Sequence, residues 1–120
     1  MQALTHPTQF DAVFKSGRRT SSDHFVLHWL AGESAAGLRL GFILPKRLAR
    51  RAARRNLIKR QWRTHCAAAE RAGINGDAVV RLVKPFDRDA FRSPASPLLA
   101  HAVAAQAEQL LSRCNPGRPA

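Results

Sequence analysis

Nine of the chain's twenty Lys and Arg residues fall between Lys46 and Arg63, and no acidic residue stands between Glu33 and Glu70. Cations at that density suit one chemistry, the binding of phosphates. Sixteen of the twenty are Arg, whose planar fork grips two oxygens at once. The residue types that make or break bonds are dispersed by contrast. The histidines His6, His24, His28, His65 and His101 stand at no recognisable spacing from a carboxylate. Cys66 adjoins His65, but neighbouring side chains on a helix point about 100° apart, which separates thiol from imidazole. Asp87 and Asp89 flank Arg88 as loop charges, and there is no glycine-rich phosphate loop. The expectation is a surface that binds a polyanion, with no catalytic residue and no metal site of its own.

A helix must carry the cations. Ala and Arg dominate the run, both strong helix formers, and the pattern predicts a helix from about Arg50 to Ala72, closed by Gly73. At 100° per residue, Ile58, Trp62, Cys66 and Ala69 share the arc expected against the sheet, with Trp62 read as core. Asn56, Lys59, Arg60 and Arg63 share the adjoining arc, where Asn56 either meets the partner or orders the helix surface. Arg50 and Arg54 lie elsewhere, near the start. Arg51 and Arg55 extend the core stripe backward as charges, which do not stay buried unpaired, so the first turns are expected to overhang the core. A solvated helix usually mixes signs and gains from i, i+4 pairs, whereas here each charge repels its neighbours, by about a few tenths of a kcal/mol per close pair. That uncompensated repulsion favours an external anion, a nucleic acid ahead of an acidic protein or membrane surface. Amide groups at the helix start add to the attraction.

Other elements frame this helix. Pro7 suits the first turn of an opening helix; Phe10, Val13 and Phe14 form its apolar stripe, and Gly17 ends it. Phe10 and Phe14 either pack in the core or offer flat faces to bases. Arg18 to Asp23 is polar. Phe25 to Leu30 predicts a strand with faces Phe25/Leu27/Trp29 and Val26/His28/Leu30. After a Gly32–Gly37 loop, Leu38 to Leu44 predicts a second strand, with Leu38, Leu40, Phe42 and Leu44 on one face. An Asn75-Gly76-Asp77 turn leads to a third strand, Ala78 to Val83, and an Asp87–Pro94 connection follows. Ser96 and Pro97 open a last helix running to about Arg113, with Leu99, Val103, Gln106 and Leu110 on one face. The order α-β-β-α-β-α belongs to the α+β class, a small mixed sheet packed with helices. Residues 1–113 read as a single domain and 114–120 as a flexible tail.

The composition is compatible with this. With 120 residues, 45% hydrophobic and 23% charged, the chain suits one globular domain and excludes disordered and collagen-like classes. A net charge of +12 again implies a polyanionic partner. Two cysteines are too few for a disulfide framework or a zinc cage, and reduced thiols are expected. No apolar run approaches the ~18 residues of a membrane span, and the first fourteen residues lack a signal peptide's apolar core. A cytoplasmic location is expected.

The run Lys46-Arg-Leu-Ala-Arg-Arg-Ala-Ala-Arg-Arg-Asn-Leu-Ile-Lys-Arg-Gln-Trp-Arg63 resembles the signature of the bacterial ribonuclease P protein subunit. That signature has paired basic residues after the second strand, an Arg-Asn-Arg core, Ile-Lys-Arg, and a further Arg three residues on. Lys46, Arg47, Arg55, Asn56, Ile58, Lys59, Arg60 and Arg63 carry the match. The Phe10…Phe14-Lys15-x-Gly17 opening, Phe25-Val-Leu, Leu40-Gly41 and Gly76-Asp77 resemble the family as well, so the likeness spans about residues 8–113. Two positions depart from it. Leu57 stands where the second Arg of Arg-Asn-Arg is usual, removing a phosphate contact or shifting it to Arg54. His28 stands where an aromatic, often Tyr, is common.

The resemblance implies a compact α/β sandwich with a left-handed β-α-β crossover, against the usual right-handed preference. It implies a protein that joins a large catalytic RNA, one protein per RNA, to remove the 5′ leader from precursor tRNA. The RNA performs the hydrolysis with magnesium ions bound mainly to itself, and no organic cofactor, DNA or membrane is involved. Lys46, Arg47, Arg50, Arg51, Arg54, Arg55, Asn56, Lys59, Arg60 and Arg63 are the implied RNA-binding residues. Phe10, Phe14 and His28 are the implied leader-cleft residues, in a cleft between the first helix, the sheet and the basic helix. The alternative is a non-catalytic, ribosomal-type RNA-binding protein. A helix-turn-helix DNA regulator is disfavoured because strands flank the basic helix.

Overall fold

Eight elements follow one another in the computed structural model of the chain: β1 (Gln2–Ala3), α1 (Pro7–Ser16), β2 (Arg18–Ser21), β3 (Phe25–Ala31), β4 (Leu38–Ile43), α2 (Ala52–Arg71), β5 (Gly76–Leu82) and α3 (Pro97–Ser112). The structure describes residues 1–32, 37–86 and 96–114; the middle of the Gly32–Gly37 loop, the Asp87–Pro94 connection with its charges, and the tail from Asn115 lie outside the described residues. The strands form one mixed sheet in the order β1-β4-β5-β3-β2. β5 pairs antiparallel with β3 and parallel with β4. α2 is the crossover that a parallel neighbour requires.

The three predicted strands are β3, β4 and β5, and the three predicted helices are present, the long one starting at Ala52 instead of Arg50. Two further strands flank them. β2 is Arg-Arg-Thr-Ser on the sheet edge, where charge protects an open edge and no apolar alternation is needed. β1 is two residues long and is a strand only through its pairing of Gln2 with Arg39 and Ala3 with Leu40.

Helices cover both faces of the sheet, which is why Phe25 through Trp29 are all buried. On one face, Phe25, Leu27, Leu38, Leu40, Val80 and Leu82 join Leu57, Ile58, Trp62 and Cys66 of α2 and Leu99, Val103 and Leu110 of α3 in the main core. Trp62 is fully buried and meets Phe25 edge-on at 5.5 Å. Ser96 caps α3, its hydroxyl accepting from the backbone N–H of Leu98 and Leu99. Gln106 ties α3 to the β2–β3 turn by accepting from Ser22 Oγ at 2.6 Å and His24 N at 2.9 Å. Arg113 adds a bond to Thr20 Oγ1.

The other face carries a smaller core of Leu4, Val13 and Val79, with Phe10, Leu30 and Ile43 against it. Gly41 lies on this face of β4, where a Cβ would stand 2.6 Å from the Phe10 ring, so the missing side chain is what seats the phenylalanine. α1, ten residues and hence about 15 Å long, is too short to cover five strands. Part of this face therefore stays open.

Candidate nucleic-acid interface

The basic run folds as a turn followed by a helix. Pro45 O accepts from Leu48 N and Ala49 N, and Ala49 is buried, which anchors the segment before α2. Arg55 closes that segment onto the helix, donating from Nη1 to Ala49 O at 2.7 Å and Arg50 O at 2.8 Å. Arg54 donates to Phe86 O at 3.3 Å. Both guanidiniums are half-buried and satisfied by backbone carbonyls. The expectation that the first turns overhang the core therefore fails: these charges meet carbonyls and the segment packs. Arg51, the N-cap, is exposed.

The remaining cations face outward. Lys46, Arg47, Arg50, Arg51, Arg60 and Arg63 are exposed with Asn56, and Lys59 is half-buried. Arg63 lies over the Phe42 ring at 5.7 Å, which holds its guanidinium beside the β4 edge. Leu57, the departure from Arg-Asn-Arg, is buried in the main core. Among the described residues the ion pairs are Met1 amine with Glu70 at 3.2 Å and Arg39 with Asp77 at 2.7 Å. Neither touches the ridge. Glu70 belongs to α2, but its carboxylate accepts from Leu38 N at 2.7 Å. That bond and the Met1 amine hold its pKa below the usual value, committing the charge to the sheet end.

The open sheet face presents different chemistry. Phe14 is 41% exposed and its ring meets His28 edge-on at 4.8 Å; Phe10 stands 6.5 Å away, half-buried over Gly41. Phe14 is thus an available flat face and Phe10 a wall. His28 is 8% exposed and serves as Phe14's support, not as a second open platform. Burial, then the positive fields of Arg19 and Arg81, lower its pKa, and its Nε2 has no hydrogen-bond partner among the described residues. The three residues expected in a leader cleft therefore gather on one sheet face. The ridge belongs to α2, packed on the opposite face, so the basic helix does not adjoin these three residues as the expected cleft required.

Arg19 and Arg81 were absent from the sequence-derived candidates. The signal for Arg19 is the polar Arg18–Ser21 stretch, whose strand pairing no local pattern reveals; Arg81 stands in the predicted Ala78–Val83 strand, but its sharing a face with Arg19 depends on pairings between distant segments. Both cysteines are buried. Burial raises the Cys66 thiol to about 12 and Cys114 to about 11, leaving both protonated. Among the described residues no three His, Cys, Asp or Glu side chains gather as a metal site, and no helix is long and apolar enough to cross a membrane.

Known proteins are similar in sequence and in fold. The family model described as Ribonuclease P matches residues 1–104. The ribonuclease P protein component of Burkholderia mallei is 32% identical over 110 residues, covering 92% of this chain and 79% of the relative. That of Paraburkholderia xenovorans is 34% identical over 111 residues, covering 92% and 78%. The solved RNase P protein of Staphylococcus aureus superposes with a TM-score of 0.73 at 20% identity, over 94% of each chain. The Thermotoga maritima RNase P protein gives 0.71 at 24% identity, over 96% of this chain and 99% of that one.

Proposed function

This chain belongs to the ribonuclease P protein family, with the role in tRNA 5′ processing within an endoribonuclease that membership implies, and from that premise we propose that it binds two RNA elements. The α2 ridge and the preceding turn hold the catalytic RNA through Lys46, Arg47, Arg50, Arg51, Lys59, Arg60 and Arg63. The groove beside α1 holds the single-stranded 5′ leader of precursor tRNA. The RNA carries out the hydrolysis with magnesium ions bound mainly to itself, and the protein supplies no catalytic group. The holoenzyme takes one protein per catalytic RNA and works in the cytoplasm.

The observation that carries this proposal is the ridge. Exposed cations repel one another, and the one carboxylate of α2 is engaged elsewhere. Such a surface relaxes when phosphates neutralise it, releasing counterions. Phe14 adds a stacking platform, the other device by which proteins hold unpaired strands.

Reconstitution with the cognate catalytic RNA at low magnesium tests the proposal. Protein alone should cut nothing; with the RNA it should speed cleavage and favour substrates carrying a leader over mature tRNA. Phe14→Ala should weaken leader binding by about 1–3 kcal/mol without lowering the unfolding midpoint in proportion. Equal affinity for precursor and mature tRNA would count against the leader groove, and co-sedimentation with ribosomal subunits without leader preference would favour a ribosomal-type role.

A further inference from the structure

The open face holds two arginines that the ridge does not account for. Arg19 pairs across the sheet with His28, and Arg81 pairs with Val26, two residues along β3. The alternation of side chains therefore puts Arg19, His28 and Arg81 on one face. With strands about 4.8 Å apart and about 3.3 Å per residue, the two arginine Cα atoms lie roughly 12 Å apart, close enough for both long side chains to meet one small anion between them. Both are exposed, and neither forms an ion pair with a described residue. His28 lies between them, buried against the Phe14 ring. Two guanidiniums on one sheet face, with no carboxylate partner among the described residues and beside the exposed Phe14 ring, present the donors that a phosphate takes.

We propose that Arg19 and Arg81 form a clamp for one phosphodiester of the single-stranded leader, adjoining the base platform of Phe14. One nucleotide of the strand stacks on Phe14 and the neighbouring phosphate sits between the guanidiniums. The clamp rests on the leader-groove proposal and deepens it: the ridge and the clamp serve different RNAs.

The test uses full-length protein reconstituted with its catalytic RNA. Affinities are measured for precursor tRNA, for mature tRNA, and for precursors carrying a single neutral methylphosphonate at successive leader positions. In the Arg19→Ala/Arg81→Ala variant, precursor affinity should fall about tenfold, while mature tRNA and the catalytic RNA bind as before. One methylphosphonate position should weaken the wild type and leave the variant unmoved. Arg19→Lys/Arg81→Lys should recover part of the loss, because a point charge replaces a fork. Unchanged precursor affinity in the alanine variant overturns the clamp. So does an equal loss of affinity for the catalytic RNA, which would turn this face toward the wrong partner, and so does wild-type indifference to every methylphosphonate. A wild-type enzyme without leader preference removes the groove and the clamp together; leader preference kept by the alanine variant removes the clamp alone.

Discussion

His28 and His24 show how single side chains tie this fold to pH. Burial lowers both pKa values from the ordinary 6.5: for His24 it outweighs the raising effects of Asp23 and the Gln106 bond, and for His28 the fields of Arg19 and Arg81 add to it. An unfolded chain takes up both protons near 6.5, whereas the folded chain takes them up only at lower pH, so acid favours unfolding. The stabilisation is complete above pH 6.5 and drains away as pH falls from there through the lowered folded values. The urea midpoint should therefore drop between about pH 7.5 and about pH 5.5, and drop less in a His24→Gln/His28→Gln variant. Glu70 acts in a separate window, below its ordinary 4.5. At this scale the sequence was only partly legible. It marked Phe14 and His28 as candidates, but the shielding of His28 by Phe14 depends on α1 docking over β3, a contact no local spacing encodes.

Helix α2 was the most legible element because its stripe of Ile58, Trp62 and Cys66 follows the 3.6-residue period and is buried as expected. What the period could not show is which arginines are structural. Arg55 and Arg60 look alike in the sequence, yet Arg55 brackets two carbonyls while Arg60 is exposed and forms no ion pair with a described residue. The bracket depends on the Pro45 turn folding back under the helix start. Arg55→Ala should cost about 1–2 kcal/mol of stability and weaken RNA binding by loosening that turn. Arg60→Ala should leave stability within about 0.5 kcal/mol and lower the slope of log affinity against log salt by about 0.7 to 0.9. Thermal unfolding alongside salt-titrated RNA binding separates the two. β2 escaped notice for a related reason: an edge strand of Arg-Arg-Thr-Ser is defined by its partner, not by its own pattern.

The whole molecule carries +12 with two ion pairs among its described residues, so its folded state works against its own field. Multivalent anions that bind the folded chain should stabilise it by mass action. At matched ionic strength, pyrophosphate should raise the melting temperature above that in sodium chloride, and the increment should shrink in a variant lacking Arg60 and Arg63. The α+β class and all three helices were readable because each pairs an apolar period with a clear start or stop signal; the strand order β1-β4-β5-β3-β2 was not, since it rests on pairings between distant segments. That sheet stands between α2 on one side and α1 on the other. In the proposed assembly it acts as a gauge plate: RNA strands seated against its two sides would keep a spacing set by backbone hydrogen bonds and packed side-chain layers, so exchanging surface arginines would alter how firmly each strand is gripped without shifting one relative to the other.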